Sequence, residues 1–231
     1  MQEFLGLKYD IKSSRRVKDG FRITTSSNGH LLFKFPRSTA FKDNLAREYM
    51  QQNFDYIMNT FKRLKEREER AKVRIERERQ EQENYIESYL QNNVNSLFIF
   101  GKSYDVATLS VESLSQILYD KALGLLDSIA ELMDLEHPPL KISYCKGYLG
   151  QCRRDVIKID YRNVLSNEDL LSYLIVHELS HLRHMDHSPR FWAHVARYYP
   201  RYKAAKKELI TITKYHTQIL KHYDLLPEKL R

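Results

Sequence analysis

Residues 167–187 read NEDLLSYLIVHELSHLRHMDH, and this stretch decides the fold. Asn167 is a good helix N-cap, and the two acidic residues after it suit the first turn, where the helix dipole favours negative charge. The apolar run that follows, 170–176, is continuous enough to bury the helix. The sequence therefore predicts a buried helix that begins at 167 and ends near residue 185.

This helix contains His177-Glu178-Leu179-Ser180-His181, which has the H-E-x-x-H form of zinc hydrolases. Residues i and i+4 lie on one helical face, so both imidazoles can bind one Zn²⁺ ion. Glu178 is rotated by about 100° from His177. Its carboxylate therefore lies where it can accept a proton from water beside the ion instead of binding the metal. We expect one catalytic zinc ion with His177 and His181 as ligands and Glu178 as general base.

A catalytic zinc site needs a third protein ligand, and two histidines compete for that role. His184 follows on the same helical face, but three ligands along one straight helix spread over about 10 Å and cannot converge on one ion. His187 needs the chain to turn first, and Ser188-Pro189 has the form of a new helix N-terminus. The sequence favours His187 as the third ligand and leaves His184 nearby or on the surface.

The rest of the chain predicts an α+β fold. FRITTS (21–26) and HLLFKFP (30–36) flank Ser-Asn-Gly and predict an N-terminal hairpin, and 96–109 predicts a second hairpin that turns at Gly101. Residues 111–135 have apolar side chains at helical spacing, which predicts a helix with one buried face. LKISYC (140–145) and DVIKIDYR (155–162) alternate apolar and polar residues, which predicts strands of a small antiparallel sheet.

No glycine or proline occurs between Pro36 and Gly101, so this stretch can continue as helix without a forced break. Its middle is rich in Glu, Arg and Lys and poor in apolar residues, which is typical of a solvated helix or helix pair. We therefore expect three parts: a β-rich segment over 1–41, a long charged helical segment over 42–95, and a catalytic domain over 96–231.

The chain has 231 residues and a formal net charge of +8, with the basic excess at its two ends. No apolar run approaches the roughly 20 residues that span a bilayer, and the N-terminus has no signal-peptide pattern. Two cysteines are too few for a disulfide scaffold, so we expect a cytoplasmic protein with no membrane contact. The basic C-terminal helix is a candidate for binding nucleic acid, against the simpler hypothesis of a solvated face; its cations are Arg201, Lys203, Lys206, Lys207, Lys214 and Lys221.

VHELSHLRHMDHSPRFWAHVARYYPRYKAAKKEL (176–209) resembles the YgjP-like metallopeptidase domain family, which is related to the SprT and WLM zinc proteins. The shared features are the HEL-x-H-L core, the His-Ser before a helix, the Phe191-Trp192 pair and a proline turn into a basic helix. One loop departs from the family pattern, because Tyr148-Leu149-Gly150-Gln151-Cys152 stands where Arg-Trp-Gly-Ser-Cys is usual. The resemblance implies a zincin-like domain whose zinc ligands map to His177, His181 and His187, with Glu178 as base.

Three functions remain open from the sequence. The first is a zinc metallopeptidase acting on protein or peptide substrates, in which the base returns its proton to the leaving amine. The others are a metal-dependent hydrolase of a nucleotide phosphate, and a nucleic-acid-associated protein with a structural or inactive zinc site. The oxyanion-stabilising residue also stays open; the candidates are Tyr148, Arg153, Arg154 and His194.

Overall fold

The structure is a computed structural model that describes residues 2–145 and 147–230. It has a mixed α+β fold, as the sequence predicts. Its contacts divide the chain into two compact units, 1–81 and 82–231. This boundary does not test the three-part division, which stays a prediction. No helix in the described ranges combines the length and apolar character that crossing a bilayer requires.

The first unit contains four strands, which are β1 (Gln2–Phe4), β2 (Leu7–Ser13), β3 (Arg22–Thr25) and β4 (Leu31–Phe35). They form one sheet in the order β1-β2-β4-β3. Strands β3 and β4 are antiparallel and form the predicted hairpin, whereas β2 and β4 are parallel. One face of the sheet packs on the helical residues Ala46, Met50 and Ile57.

The charged segment forms two helices, α1 (Lys42–Gln52) and α2 (Phe54–Asn92). Asn53 separates them, and both its backbone N–H and its side-chain Nδ2 donate to the carbonyl oxygen of Tyr49. Asparagine competes with the helix for local hydrogen bonds, which explains an interruption in a stretch without glycine or proline. Only Ile57 of α2 is buried.

The second unit begins with the predicted hairpin of β5 (Ser96–Ile99) and β6 (Lys102–Asp105), in which Phe100 and Gly101 have positive φ angles of 45° and 84°. A core of apolar side chains then forms between three helices and a three-stranded sheet. The helices are α3 (Val111–Leu132), α4 (Glu168–Ser180) and α6 (Tyr202–His222), and α5 (Pro189–Tyr198) precedes the last of them.

The small sheet of this unit is mixed, and the prediction of an antiparallel sheet was wrong. Its strands are β7 (Leu140–Ser143), β8 (Gly150–Cys152) and β9 (Ile157–Asp160), in the order β7-β9-β8. The sequence predicts that residues 146–154 only connect β7 to β9. Instead, that connection contains β8, which forms a hairpin with β9 and leaves β7 parallel to β9.

Helix α4 starts as expected, because the Asn167 side chain accepts a hydrogen bond of 2.8 Å from the backbone N–H of Leu170. Nine of its residues are buried. The helix ends at Ser180, five residues before the predicted end. After Ser180 the chain forms a turn, in which the N–H groups of Arg183 and His184 both donate to the Ser180 carbonyl oxygen. This early turn lets the chain reverse direction before α5 begins.

Candidate metal centre

Three histidines gather at the C-terminal end of α4. His177 lies in its last turn, His181 caps it, and His187 precedes α5. One ring nitrogen from each lies within 4.8 Å of the others. The Nε2 atoms of His177 and His187 are only 3.1 Å apart. Three imidazole nitrogens at this spacing suit a single transition-metal ion, and this is the one group of its kind in the described ranges.

The turn after α4 and the start of α5 bring His187 to the other two histidines. The Ser188 hydroxyl accepts a hydrogen bond from the backbone N–H of Phe191, as predicted for an N-cap. Phe191 is fully buried, and its ring centroid lies 4.5–4.9 Å from those of all three histidines. Trp192 stacks on His187 with the ring planes 23° apart. These two aromatic side chains therefore support the histidine group from one side.

Burial keeps two of the three histidines in the form that binds metal. Burial lowers the pKa of His177 to about 3, with smaller contributions from the charges of His181, His187 and Lys206. Burial likewise lowers the pKa of His181. Neutral imidazoles are the metal-binding species, so His177 and His181 need no deprotonation at neutral pH.

Hydrogen bonding selects the tautomer of His181. Its Nδ1 lies 3.1 Å from the carbonyl oxygen of His184, so Nδ1–H donates and Nε2 is left as the ligand atom. His184 thus contributes a backbone acceptor, while its ring lies 5.7 Å from that of His194. The structure brings His187 into the group with His177 and His181, and it does not bring the His184 ring there.

Glu178 is 3% exposed and lies beside the histidines in a cavity of about 260 Å³. Burial raises the pKa of its carboxyl group to about 8, partly opposed by a hydrogen bond from the backbone of Cys152. Gly150 makes room for this side chain, since a Cβ atom there would come within 2.9 Å of three Glu178 atoms. The sequence does not reveal this role of Gly150; the one signal is its position two residues before Cys152, in the loop that resembles the family's.

A buried ion pair holds the loop that forms one wall of this cavity. Arg162 pairs with the fully buried Asp160 at 2.5 Å and donates to the carbonyl oxygens of Cys145 and Tyr148. Asn163 donates to the carbonyl oxygen of Leu149. These residues are not predictable from a local sequence pattern, because their side chains bond to a loop about fifteen residues away.

Of the four candidates for stabilising an oxyanion, Tyr148 is the one that lines this cavity. Burial raises the pKa of its hydroxyl group, so it is a neutral donor at pH 7. His194 lies 3.1 Å from the Ser180 hydroxyl instead. Arg153 and Arg154 are exposed and do not line the cavity.

The free thiol of Cys152 also lines the cavity. Burial and, to a smaller extent, the charge of Glu178 raise its pKa to about 11. The thiolate is therefore rare at neutral pH, and the thiol is not among the atoms that gather as candidate ligands.

Comparison with known proteins identifies a family. The family described as "YgjP-like, metallopeptidase domain" matches residues 50–211. The chain is similar to the metallopeptidase zymogen abylysin of Pyrococcus abyssi, at 23% identity and a TM-score of 0.38, over 40% of this chain and 95% of that one. It is also similar to the zymogen jannalysin of Methanocaldococcus jannaschii, at 21% identity and 0.36, over 41% and 89%. No curated protein matches the chain.

Proposed function

Because the chain belongs to the YgjP-like metallopeptidase domain family, we propose that it is a zinc-dependent peptidase with a zincin-like catalytic domain over 96–231. Its zinc ligands are His177, His181 and His187, and Glu178 is the general base. The observation that carries this proposal is the meeting of three imidazole nitrogens beside one buried carboxyl group.

The donor set supports zinc. Three imidazoles with no carboxylate among them suit Zn²⁺ better than Mg²⁺ or Ca²⁺, which prefer oxygen ligands. Two features favour a bound ion: the 3.1 Å approach of two Nε2 atoms and the tautomer set at His181. When bound, zinc supplies Lewis-acid polarisation of a carbonyl group and makes a nearby water molecule more acidic.

Glu178 moves the proton. Its carboxylate accepts a proton from water and then gives it to the leaving amine of the cleaved peptide. A bound cation favours the charged carboxylate and so lowers its pKa from the value to which burial raises it. The backbone N–H of Cys152 orients the group, and Gly150 leaves space for it.

Tyr148 is the residue of this chain that we assign to the substrate carbonyl. Its hydroxyl group donates to the oxygen atom on which negative charge develops, and Arg162 holds the backbone of its loop. Loss of one such donor costs about 10²–10³ in kcat. Tyr148→Phe should therefore lower kcat with little change in zinc content.

The first test is zinc stoichiometry in a matched pair of variants. His187→Ala should lose the metal after dialysis, and His184→Ala should keep it, because only the His187 ring joins the group. The opposite result would assign the third ligand to His184. Glu178→Gln should retain zinc while its cleavage of a denatured protein falls to background. Zinc retention with undiminished cleavage would remove Glu178 from its role.

The same proteins decide between the alternatives. Hydrolysis of nucleoside triphosphates without peptide cleavage would make the chain a nucleotide phosphate hydrolase. Bound zinc with neither activity would indicate a structural or inactive site. Binding of nucleic acid by the basic C-terminal region stays a prediction, and so does the cytoplasmic location. Three of the cations proposed for that binding contact neighbours: Arg201 pairs with Asp169, and Lys203 and Lys206 lie over the rings of Tyr202 and Trp192.

A further inference from the structure

Three cations stand side by side across the N-terminal sheet. In the observed register, Lys12 of β2 pairs with Lys34 of β4, and Lys34 pairs with Arg22 of β3. Paired residues point to the same face of a sheet, and neighbouring strands are about 4.8 Å apart. The three side chains therefore form a row of positive charge across three strands.

This row lies on the sheet face opposite the core of the unit. The residues that precede each of Lys12 and Lys34, which are Ile11 and Phe33, belong to or pack on that core, and side chains alternate between faces. Lys12 and Arg22 are exposed and Lys34 is partly exposed. Like charges directly opposite each other destabilise a sheet, so the free protein carries an unfavourable interaction here.

Four more cations extend the row. Arg15, Arg16 and Lys18 follow β2, and the backbone N–H of Ser14 ties the start of that segment to the carbonyl oxygen of Phe35 at the end of β4. Arg37 follows β4 directly. All four are exposed. We call the set the basic corner; it comprises Lys12, Arg15, Arg16, Lys18, Arg22, Lys34 and Arg37.

One acidic residue of the sheet shares the face of the row: Asp10, two residues before Lys12 on β2, whose carboxylate lies 3.7 Å from Nδ1 of His30. Asp19 is the one acidic residue between 11 and 42, and among the described residues no ion pair involves a member of the basic corner. The charged helix α2 shows the opposite pattern, with repeated Arg–Glu pairs along its surface. Many charged side chains of α2 are therefore paired, whereas the cations of the basic corner form no ion pair among the described residues.

An exposed aromatic ring lies on the segment that follows Arg37. Phe41 is 80% exposed and has a left-handed backbone with φ +48°. That conformation is uncommon for a bulky residue and marks a functional candidate. Lys42 donates from Nζ to the carbonyl oxygen of Arg37 at 3.5 Å, which ties this segment to the end of the basic corner.

We propose that the basic corner binds the phosphate backbone of single-stranded nucleic acid, with a base stacked on Phe41. The basic corner and the exposed ring of Phe41, four residues after Arg37 in the chain, supply the two components of such sites, an electrostatic track and a stacking platform. An anionic membrane is a weaker match, because interfacial binding relies on an amphipathic helix or several apolar anchors, and the exposed apolar side chains at this segment are Phe41 and Leu45. The proposal does not depend on the metal centre.

The test measures binding of a fluorescein-labelled oligothymidylate to the full chain by fluorescence anisotropy, between about 50 and 200 mM salt. We expect log K to fall linearly with log salt, with a slope of about −0.7 per phosphate contact. The triple variant Lys12→Gln, Arg22→Gln, Lys34→Gln should bind at least about tenfold more weakly and lose about 2 from the magnitude of that slope. Phe41→Ser should lower affinity roughly tenfold and leave the slope unchanged.

The matched control removes the same charge elsewhere: Lys203→Gln, Lys207→Gln, Lys214→Gln on α6. It should bind within about threefold of the wild type. The triple variant of the row should melt no lower than wild type, because it relieves repulsion between neighbouring like charges. Equal losses in the two triple variants, or no binding by the wild type, would overturn the proposal. Binding to vesicles of phosphatidylcholine with about a quarter phosphatidylserine, but not to the oligonucleotide, would replace it with a membrane site.

Discussion

Helix α2 is almost entirely exposed to solvent, whereas helix α4 is mostly buried. α2 has 39 residues and buries one of them, whereas α4 has 13 residues and buries nine. The longer helix is rich in ion pairs, and the shorter one carries His177, Glu178 and the apolar side chains around them. The proposed catalytic residues therefore lie on the helix that is fixed by burial, whereas the charged helix depends on local interactions in water.

The largest difference should appear when a single apolar side chain is shortened in each helix. Leu171 of α4 is fully buried, and Ile75 of α2 is 61% exposed. Leu171→Ala should lower the free energy of unfolding by about 2–5 kcal/mol, since it removes apolar contacts and leaves a cavity. Ile75→Ala should change it by less than about 0.5 kcal/mol.

Urea unfolding followed by far-ultraviolet circular dichroism measures both variants. The fluorescence of Trp192, the one tryptophan of the chain, reports separately on the second unit. A cost at Ile75 as large as that at Leu171 would mean that α2 is packed in solution, and the contrast between the helices would fail.

A buried and an exposed histidine of α6 extend the comparison to pH. His216 is 4% exposed, and burial lowers its pKa to about 4. The unfolded chain, with an ordinary pKa of about 6.5, binds a proton that the folded protein excludes. Stability should therefore be fully present above about pH 6.5 and should fall by about 3 kcal/mol as the pH drops to about 4.

His216→Leu removes this contribution, so its free energy of unfolding should depend less steeply on pH between about 4 and 6.5. His222, at the exposed end of the same helix, provides the control, because His222→Gln should keep the wild-type slope. If the two variants have the same slope as the wild type, the burial of His216 does not control its protonation.

The sequence predicted the helix of the site better than the surroundings of the site. Asn167, the apolar run after it and the spacing of His177 and His181 are local signals, and each is set by contacts within a few residues. The three residues of β8 are too few to show alternation, so the mixed sheet was missed. The ion pair of Asp160 and Arg162 with the loop at Tyr148 depends on long-range packing, which no local pattern contains.

Two glycines separate the effect of packing from that of backbone freedom. Gly150 lies against Glu178, and a Cβ atom would be 2.4 Å from its Oε1. Gly150→Ala should therefore cost about 1–3 kcal/mol by overpacking and should lower peptidase activity by displacing the proposed base. Gly124, inside α3, has open space around it, so Gly124→Ala should stabilise the protein by about 0.5–1 kcal/mol.

Thermal unfolding and cleavage of a denatured protein, measured together on both variants, test this pair. Stabilisation by Gly150→Ala would show that the side chain of Glu178 moves aside at no cost. In that case its position beside the histidines would be less fixed than burial suggests.

The smallest effect should come from the ion pairs of α2. Arg79 donates to both carboxylate oxygens of Glu76, and this contact lowers the pKa of Glu76. A lowered carboxylate pKa stabilises the folded state above the unfolded pKa and loses that stabilisation as pH falls. Both side chains are more than half exposed, however, so water and salt screen their attraction. Glu76→Gln should leave the melting temperature unchanged within error at physiological salt. A clear decrease in melting temperature that persists at high salt would show that α2 is held by more than exposed ion pairs. In that case α2 would be stabilised by packing, as α4 is.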